Sequence, residues 1–377
     1  MKKVFIISAV LLCLTLIFLG IYNFAFKKED IIIEPKTPIS AMDDPIKQQV
    51  ESLEKIVAIS DDGVIGVAAD KKTGEIRYYD AVTNFVWKMD ADGSKKQQIS
   101  STSVPGLKNV LWSQDMKKVL TVTQKNGKDF FYMYDHTTKQ GVQLQPGLDT
   151  AVWDNIGAKI FYKYFDEKTK QRSLNVANPD GTEYQKIADI SARNLAIAPI
   201  PLTSNVSYWN FPDRNEETLF QSIGMVGGTP KIILSGRYGA DYLWSSDGSM
   251  ALVSSLPSKE ASMVTLGIVS QDGKYQDLNI PTLVSKCAWS KDGKTIFYAL
   301  PGEIPSDAAM PNDYQDNKFN TDDTFWKLDI ATGKKERIIE ASEIKGKYDS
   351  SKMFLTTEED GLYFINRADK KLYLISL

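Results

Sequence analysis

Short apolar runs alternate with polar turns along most of this chain, and the runs are too short to make useful helices. Thr295-Ile296-Phe297-Tyr298-Ala299-Leu300 is typical, a β-branched and aromatic stretch that follows Asp292-Gly293. Runs of this kind, bounded by Asp, Asn and Gly, read as strands joined by tight turns. The preceding segment, Ala288-Trp289-Ser290-Lys291-Asp292-Gly293, returns elsewhere. Leu243-Trp244-Ser245-Ser246-Asp247-Gly248 repeats it, Leu111-Trp112-Ser113-Gln114-Asp115 keeps all but the glycine, and Val152-Trp153-Asp154-Asn155-Ile156-Gly157 is a worn copy. In each copy a strand delivers an indole between neighbouring sheets. The chain then turns, because aspartate bonds its own backbone two residues on and glycine accepts a positive φ.

Tryptophans 112, 153, 244 and 289 lie 41, 91 and 45 residues apart, so the long gap holds one further repeat that has lost its tryptophan. A period of about 40 to 45 residues with several short strands per copy predicts the blades of a β-propeller. The blades fall at about 64–100, 109–144, 149–187, 189–235, 241–279, 285–339 and 351–377. The last has only three strands, and the strand at 56–60 is left over. Pairing it with 371–377 closes an all-β, seven-bladed ring of four-stranded antiparallel blades and removes exposed sheet edges. On this reading Trp112, Trp153, Trp244, Asp247, Gly248, Trp289, Asp292 and Gly293 are architectural.

The phrase W-S-x-D-G before an apolar strand, with a later D-G turn before a short polar strand, resembles the WD40-like repeat of TolB-type propellers. With the apolar amino-terminal run described below, the whole resembles membrane-anchored bacterial propeller proteins. The resemblance implies a protein-binding or envelope scaffold. Propellers host many functions, so the function has to be argued from a site.

Composition narrows the options. The 377 residues are 42% hydrophobic, ample for a large core, and the net charge of −3 comes with no clustered basic face for nucleic acid. Cys13 and Cys287 form no disulfide framework. His136, the sole histidine, is placed in an exposed turn; it leaves zinc sites short of ligands, and any Ser-His-Asp triad would have to use it. No cofactor is expected. Val4 to Phe26 is 23 residues without a charge, about 35 Å as a helix and longer than the apolar core of a signal peptide. It reads as an uncleaved single-pass anchor with a cytoplasmic tip, followed by a proline-containing spacer over 27–54 and an extracytoplasmic propeller from 55 onward.

One loop is too long for its surroundings. The 23 residues from Pro301 to Asp323 interrupt the sixth blade, and loops of that length inside a domain are usually functional or disordered. Asp307, Asp313, Tyr314, Asp316, Phe319, Asp322 and Asp323 are its candidate partner-binding residues. A weak Ca²⁺ site is a second reading, although the spacing of an EF-hand loop is absent. The first functional reading is a membrane-tethered, non-enzymatic scaffold that binds protein or envelope polymer. The alternative is an extracytoplasmic hydrolase or lyase using carboxylates of the 303–323 loop. An enzyme should show a deep site with at least one carboxyl raised in pKa, and a binder a shallow rim.

Overall fold

The computed structural model describes residues 54–377; the expected anchor and nearly all of the spacer lie outside them. Strand β1 (Ile56–Ala58) comes first. A four-stranded sheet follows, made of β2 (Val64–Ala69), β3 (Ile76–Asp80), β4 (Val86–Met89) and β5 (Gln97–Gln98). The next is β6 (Leu107–Trp112), β7 (Lys118–Lys125), β8 (Lys128–Asp135) and β9 (Gln140–Gln143), and the third is β10 (Leu148–Trp153), β11 (Ile160–Phe165), β12 (Arg172–Ala177) and β13 (Gln185–Asp189). A seven-stranded sheet then runs through β14 (Leu195–Pro199), β15 (Asn205–Asn210), β16 (Glu217–Gly224), β17 (Lys231–Trp244), β18 (Met250–Leu256), β19 (Thr265–Ser270) and β20 (Tyr275–Ile280). After it come β21 (Cys287–Trp289), β22 (Thr295–Gly302), β23 (Asp322–Asp329) and β24 (Lys335–Arg337), with the one-turn helix α1 (Asn312–Gln315) between β22 and β23. The final sheet is ordered β1-β27-β26-β25, from β25 (Ser350–Leu355), β26 (Gly361–Asn366) and β27 (Leu372–Ser376). Ile56 pairs with Ile375 and Ala58 with Tyr373, so the first described strand completes the last sheet.

Apolar cores alternate with these sheets and lead back to the start. Phe131 and Trp153 share a core between the second and third sheets, and Phe161 and Tyr208 join the third to β15. Phe325 and Phe364 join the sheet of β21–β24 to the last, and Tyr363 and Leu372 pack on Ile76 and Tyr78 of the first. Leading strands meet along the inside, β2 on β6, β6 on β10, β10 on β14 and β21 on β25. This is the all-β architecture of a propeller.

The repeat residues act across sheets. The indole N–H of Trp112 donates to Gly66 O at 2.6 Å, Trp153 to Leu111 O at 2.8 Å and Trp289 to Leu243 O at 3.0 Å, while Trp244 donates to Ser207 Oγ at 2.8 Å. Trp112, Trp153 and Trp289 thus reach the preceding sheet, and Trp244 reaches β15 within the seven-stranded sheet, each adding about 1 kcal/mol of hydrogen bond to its apolar burial. In the turn that follows, Ser245 Oγ donates to Asp247 at 2.6 Å and Asp247 accepts from Ser249 N at 3.0 Å. Ser290 and Asp292 repeat this, as do Ser113 and Asp115.

Gly248 is needed twice over. Its φ is +69°, and a Cβ there would stand 2.4 Å from Pro201 O in the neighbouring turn. Gly333 also has positive φ, at +71°, with nothing within 4 Å of an added Cβ. Gly333→Ala is expected to cost about 1 kcal/mol of backbone strain. Gly248→Ala is expected to cost at least twice that, because backbone must also move. Denaturant unfolding of the two variants checks the difference.

Two expectations change. Lys231 to Trp244 is one continuous strand rather than the end of one blade and the start of another. Glu217 pairs with Tyr238 and Thr218 with Arg237, so β16 carries the chain across where a loop was expected. The long loop is also shorter than 301–323. Pro301 pairs with Asp323 and Gly302 with Asp322, leaving residues 303–321 as the connection.

Candidate functional site

The 303–321 connection folds down as a flap. Met310 and Tyr314 are buried against Leu256, Val264 and Leu283. Asn312 Oδ1 accepts from Arg214 N at 2.9 Å, and its Nδ2 donates to Asp213 at 3.1 Å. These contacts tie the flap to the seven-stranded sheet.

A second tie is electrostatic. Lys286, fully buried, directs its ammonium to Asp323 Oδ2 at 2.6 Å, Asp349 Oδ1 at 2.8 Å, Thr321 Oγ1 at 3.0 Å and Ser350 O at 3.0 Å. The Tyr314 hydroxyl donates to Asp349 at 2.5 Å. Arg367 lies over the Tyr314 ring at 3.7 Å, faces Asp349 Oδ2 at 3.6 Å and donates to Tyr314 O at 2.7 Å and to Asn317 Oδ1. Two cations and two carboxylates therefore balance. Burial works to raise the Asp349 carboxyl, but the Lys286 ammonium, the Tyr314 hydroxyl and the Arg367 charge together outweigh it and hold the group below its ordinary value. Burial, then the Asp349 charge, pushes the Tyr314 phenol up.

The candidate partner-binding residues do not make one surface. Tyr314 and Asp323 are buried, and Asp313 is engaged with Lys318 at 2.6 Å and Ala309 N at 2.7 Å. Phe319 packs on Tyr314, Asp322 stands 4.0 Å from Lys347, and only Asp307 and Asp316 of the seven are exposed. No group of three or more His, Cys, Asp or Glu side chains suited to a metal occurs among the described residues.

Beside the flap opens a pocket of about 400 Å³. Its wall includes Asp241 of β17, Ser254 of β18, Lys352 of β25, Arg367 and the flap residues Tyr314, Gln315 and Asn317. Backbone irregularities present two of these groups. The β17–β18 register shifts between Tyr238 and Asp241, with Gly239 at φ +55°, and the β25–β26 register shifts between Ser351 and Phe354, with Lys352 at φ +50°. Bulges of this kind re-aim side chains. A Cβ on Gly239 would meet the Pro311 ring at 2.8 Å, so the flap rests directly on that bulge.

The pocket perturbs what it holds. Asp241 accepts from Trp209 Nε1 at 3.1 Å and from Tyr242 N at 3.0 Å, yet loss of water dominates and pushes its carboxyl up to about 6. Lys352 opens to solvent but is crowded by protein, and this desolvation pulls its ammonium below the ordinary lysine value. Asp241 is the only carboxylate among the described residues lining the pocket, set with Lys352 and Arg367. None of these three belonged to the sequence candidates. The signals were a charge after Gly239-Ala240 in an apolar strand and, for Lys286, a charge just before Cys287-Ala288-Trp289.

His136 is not exposed. It is half-buried, stacks on Trp112 at 5.1 Å and meets Tyr134 edge-on at 4.9 Å; burial, aided by Arg77 and Lys139, lowers its imidazole to about 4. Cys287 is buried with a thiol raised by desolvation, and Cys13 lies outside the described residues. Among the described residues no helix is long and apolar enough to cross a membrane.

No family model matches the chain, and no curated protein matches it in sequence. Solved structures do match in fold. An oligogalacturonate lyase in complex with manganese aligns at TM-score 0.63 and 12% identity, over 85% of this chain and 93% of that one. The oligogalacturonate lyase of Vibrio parahaemolyticus aligns at 0.62 and 10%, with the same coverages. The β-propeller domain of the Trilobed protease from Pyrococcus furiosus aligns at 0.52 and 10%, over 83% and 92%. The reading as a non-enzymatic scaffold is corrected here: the chain shares its fold with two oligogalacturonate lyases, and no finding favours a non-enzymatic role.

Proposed function

We propose that the chain is a lyase that cleaves acidic, uronate-containing oligosaccharides by β-elimination at the flap-side pocket. The observation that carries this is one raised carboxyl set with a depressed ammonium and a guanidinium in a single pocket. Hydrolysis of a glycoside ordinarily uses two carboxylates, and this wall has one. Elimination needs a base, an acid and a cation for the substrate carboxylate. The carboxylates of the 303–323 loop lie outside the pocket lining, so the chemistry moves from them to Asp241, Lys352 and Arg367. Fold likeness to oligogalacturonate lyases adds support.

Asp241, ionised above about pH 6, takes the proton α to the uronate carboxylate. Arg367 stabilises the negative charge that moves onto that carboxylate. The electron pair then forms the carbon–carbon double bond and expels the glycosidic oxygen, which takes a proton from the Lys352 ammonium. The C–H and C–O bonds break, the carbon–carbon double bond forms, and the proton gained by Asp241 is matched by the one Lys352 gives up. Manganese, which the first neighbour carries, does not fit here. One carboxylate between two cations offers a hard divalent ion too few oxygens and a repulsive field.

The same rim is long enough for an oligomer. The pocket shares Phe211, Pro212 and Gln315 with a neighbouring depression, which in turn shares Arg193 and Asn194 with a third that reaches Arg172. Arg172 and Arg193 are placed to meet further uronate carboxylates. Arg193→Ala is expected to raise KM about tenfold for long oligouronates and leave it unchanged for the shortest cleavable one. The reaction itself is tested by ultraviolet absorbance of the conjugated unsaturated product on a panel of uronate polymers, with Lys352→Ala as control. A panel yielding no unsaturated ends removes the proposal.

Three finer points belong to the same reading. We infer seven blades of TolB type, because β17 is long enough to close one four-stranded blade and open the next. The uncharged run of residues 4–26 supports a membrane tether with the propeller outside the cytoplasm. Resistance of the membrane-bound chain to alkaline extraction checks the tether.

A further inference from the structure

Away from this rim, the contact between the first two four-stranded sheets is under-filled. Its buried apolar core consists of Tyr79, Val86, Val110 and Val119. The corresponding cores on either side hold eight and ten such residues among those described. The missing volume is a pocket of about 580 Å³, within the range that encloses small-molecule ligands.

The wall has a definite chemistry. Tyr79, Tyr132, Tyr134 and His136 give it flat aromatic surface, and Thr121 and Thr123 of β7 with Ser100, Ser101 and Thr102 give it hydroxyls. His136 is clamped between the Trp112 face and the Tyr134 edge. Its Nε2 is nonetheless buried without a hydrogen-bond partner among the described residues, an arrangement that costs about 1 to 3 kcal/mol unless something supplies the bond. Among the described lining residues Lys139 is the one side chain that carries charge at neutral pH, and none is a carboxylate.

We propose that this inter-sheet pocket binds a planar, ring-bearing small molecule with one anionic group, the ring between the tyrosines and His136 and the anion at Lys139. Nε2 of His136 receives a hydrogen bond from the ligand or donates one to it, according to the tautomer. The site is independent of the rim pocket, with which it shares no lining residue.

The test is calorimetric titration of the full chain with indole-3-acetate, a planar anion, and with tryptamine, its cationic counterpart. Saturable one-to-one binding of the acetate, at least tenfold tighter than tryptamine, is expected. His136→Phe keeps the stacked ring, drops the nitrogen and should weaken the acetate about tenfold. Thr123→Phe fills the pocket and should abolish binding. Lys139→Glu, on an exposed turn where folding is not at stake, should reverse the preference for the anion. Absence of saturable binding, equal affinity for the two probes, or unchanged affinity in Lys139→Glu overturns the assignment.

Discussion

Asp241→Asn is expected to destroy activity and stabilise the protein at the same time. The carboxyl sits at about 6 in the fold against 3.8 for a free group, because desolvation penalises its charged form. A raised carboxyl in the folded state means that folding is opposed by ionisation. The penalty is absent below the unfolded value, grows as pH rises from about 4 through about 6, and is constant above. At about 1.4 kcal/mol per unit, and allowing for partial solvent access, it reaches about 2 kcal/mol at pH 7. Asparagine keeps the oxygen that accepts from Trp209 and Tyr242 and never ionises. The variant should therefore gain about 2 kcal/mol at pH 7 and nothing at pH 4, while kcat/KM falls by about 10² to 10⁴ through loss of the base. The wild-type pH profile should fall below about 6, where Asp241 takes up its proton, and fall again where Lys352 loses its own. Asp241→Asn should erase the acid limb. An unchanged stability curve together with a retained acid limb would remove Asp241 from the mechanism. Stabilisation paired with lost activity cannot be produced by misfolding, which makes the pair of readouts decisive.

How much of this was written in the sequence depends on the range over which each residue acts. The W-S-x-D-G copies are local devices. Ser245, Asp247 and Gly248 complete their turn within four residues, so their pattern could be recognised without knowing what surrounds them. The continuous β17 was not legible, because Gly236 and Gly239 look like a loop until β16 is long enough to pair across them. The site was less legible still. Asp241 is perturbed by a wall assembled from separate sheets and the flap, and its indole partner comes from Trp209, 32 residues earlier. The loop carboxylates drew attention by density alone, yet Asp313 and Asp323 had already been claimed by Lys318 and Lys286. Acidic residues in a long loop say nothing of which are neutralised until their partners are placed. Pairs such as Lys286 with Asp349, 63 residues apart, have no local signature.

Lys286→Met should destabilise the fold more than Gly248→Ala does. The side chain is fully buried, and its ammonium is shared by two buried carboxylates from different strands. Methionine fills the volume but leaves Asp323 without its cation and Asp349 with only Arg367 at 3.6 Å. Removing one partner of such a network costs about 3 to 5 kcal/mol, and Tm should drop by about 4 to 7 °C for a propeller of this size. The pH dependence has a definite sign. In the wild type, Asp349 is held below its ordinary value, so its contribution is present above about pH 4 and is lost as pH falls through the folded value. In the variant burial of Asp349 is no longer offset by the Lys286 ammonium, so stability falls as pH rises through the carboxylate range. The gap between the proteins should thus be widest at pH 7 and narrow toward pH 4. Adding Asp323→Asn and Asp349→Asn to Lys286→Met should recover most of the loss, since neutral groups no longer need the cation. A single variant whose deficit is the same at both pH values, or a triple variant no more stable than the single, would mean that the cost comes from packing at Lys286 and not from unpaired charge. Because Tyr314 donates to Asp349 and lies under Arg367, the single variant should also loosen the flap and raise KM even where it remains folded.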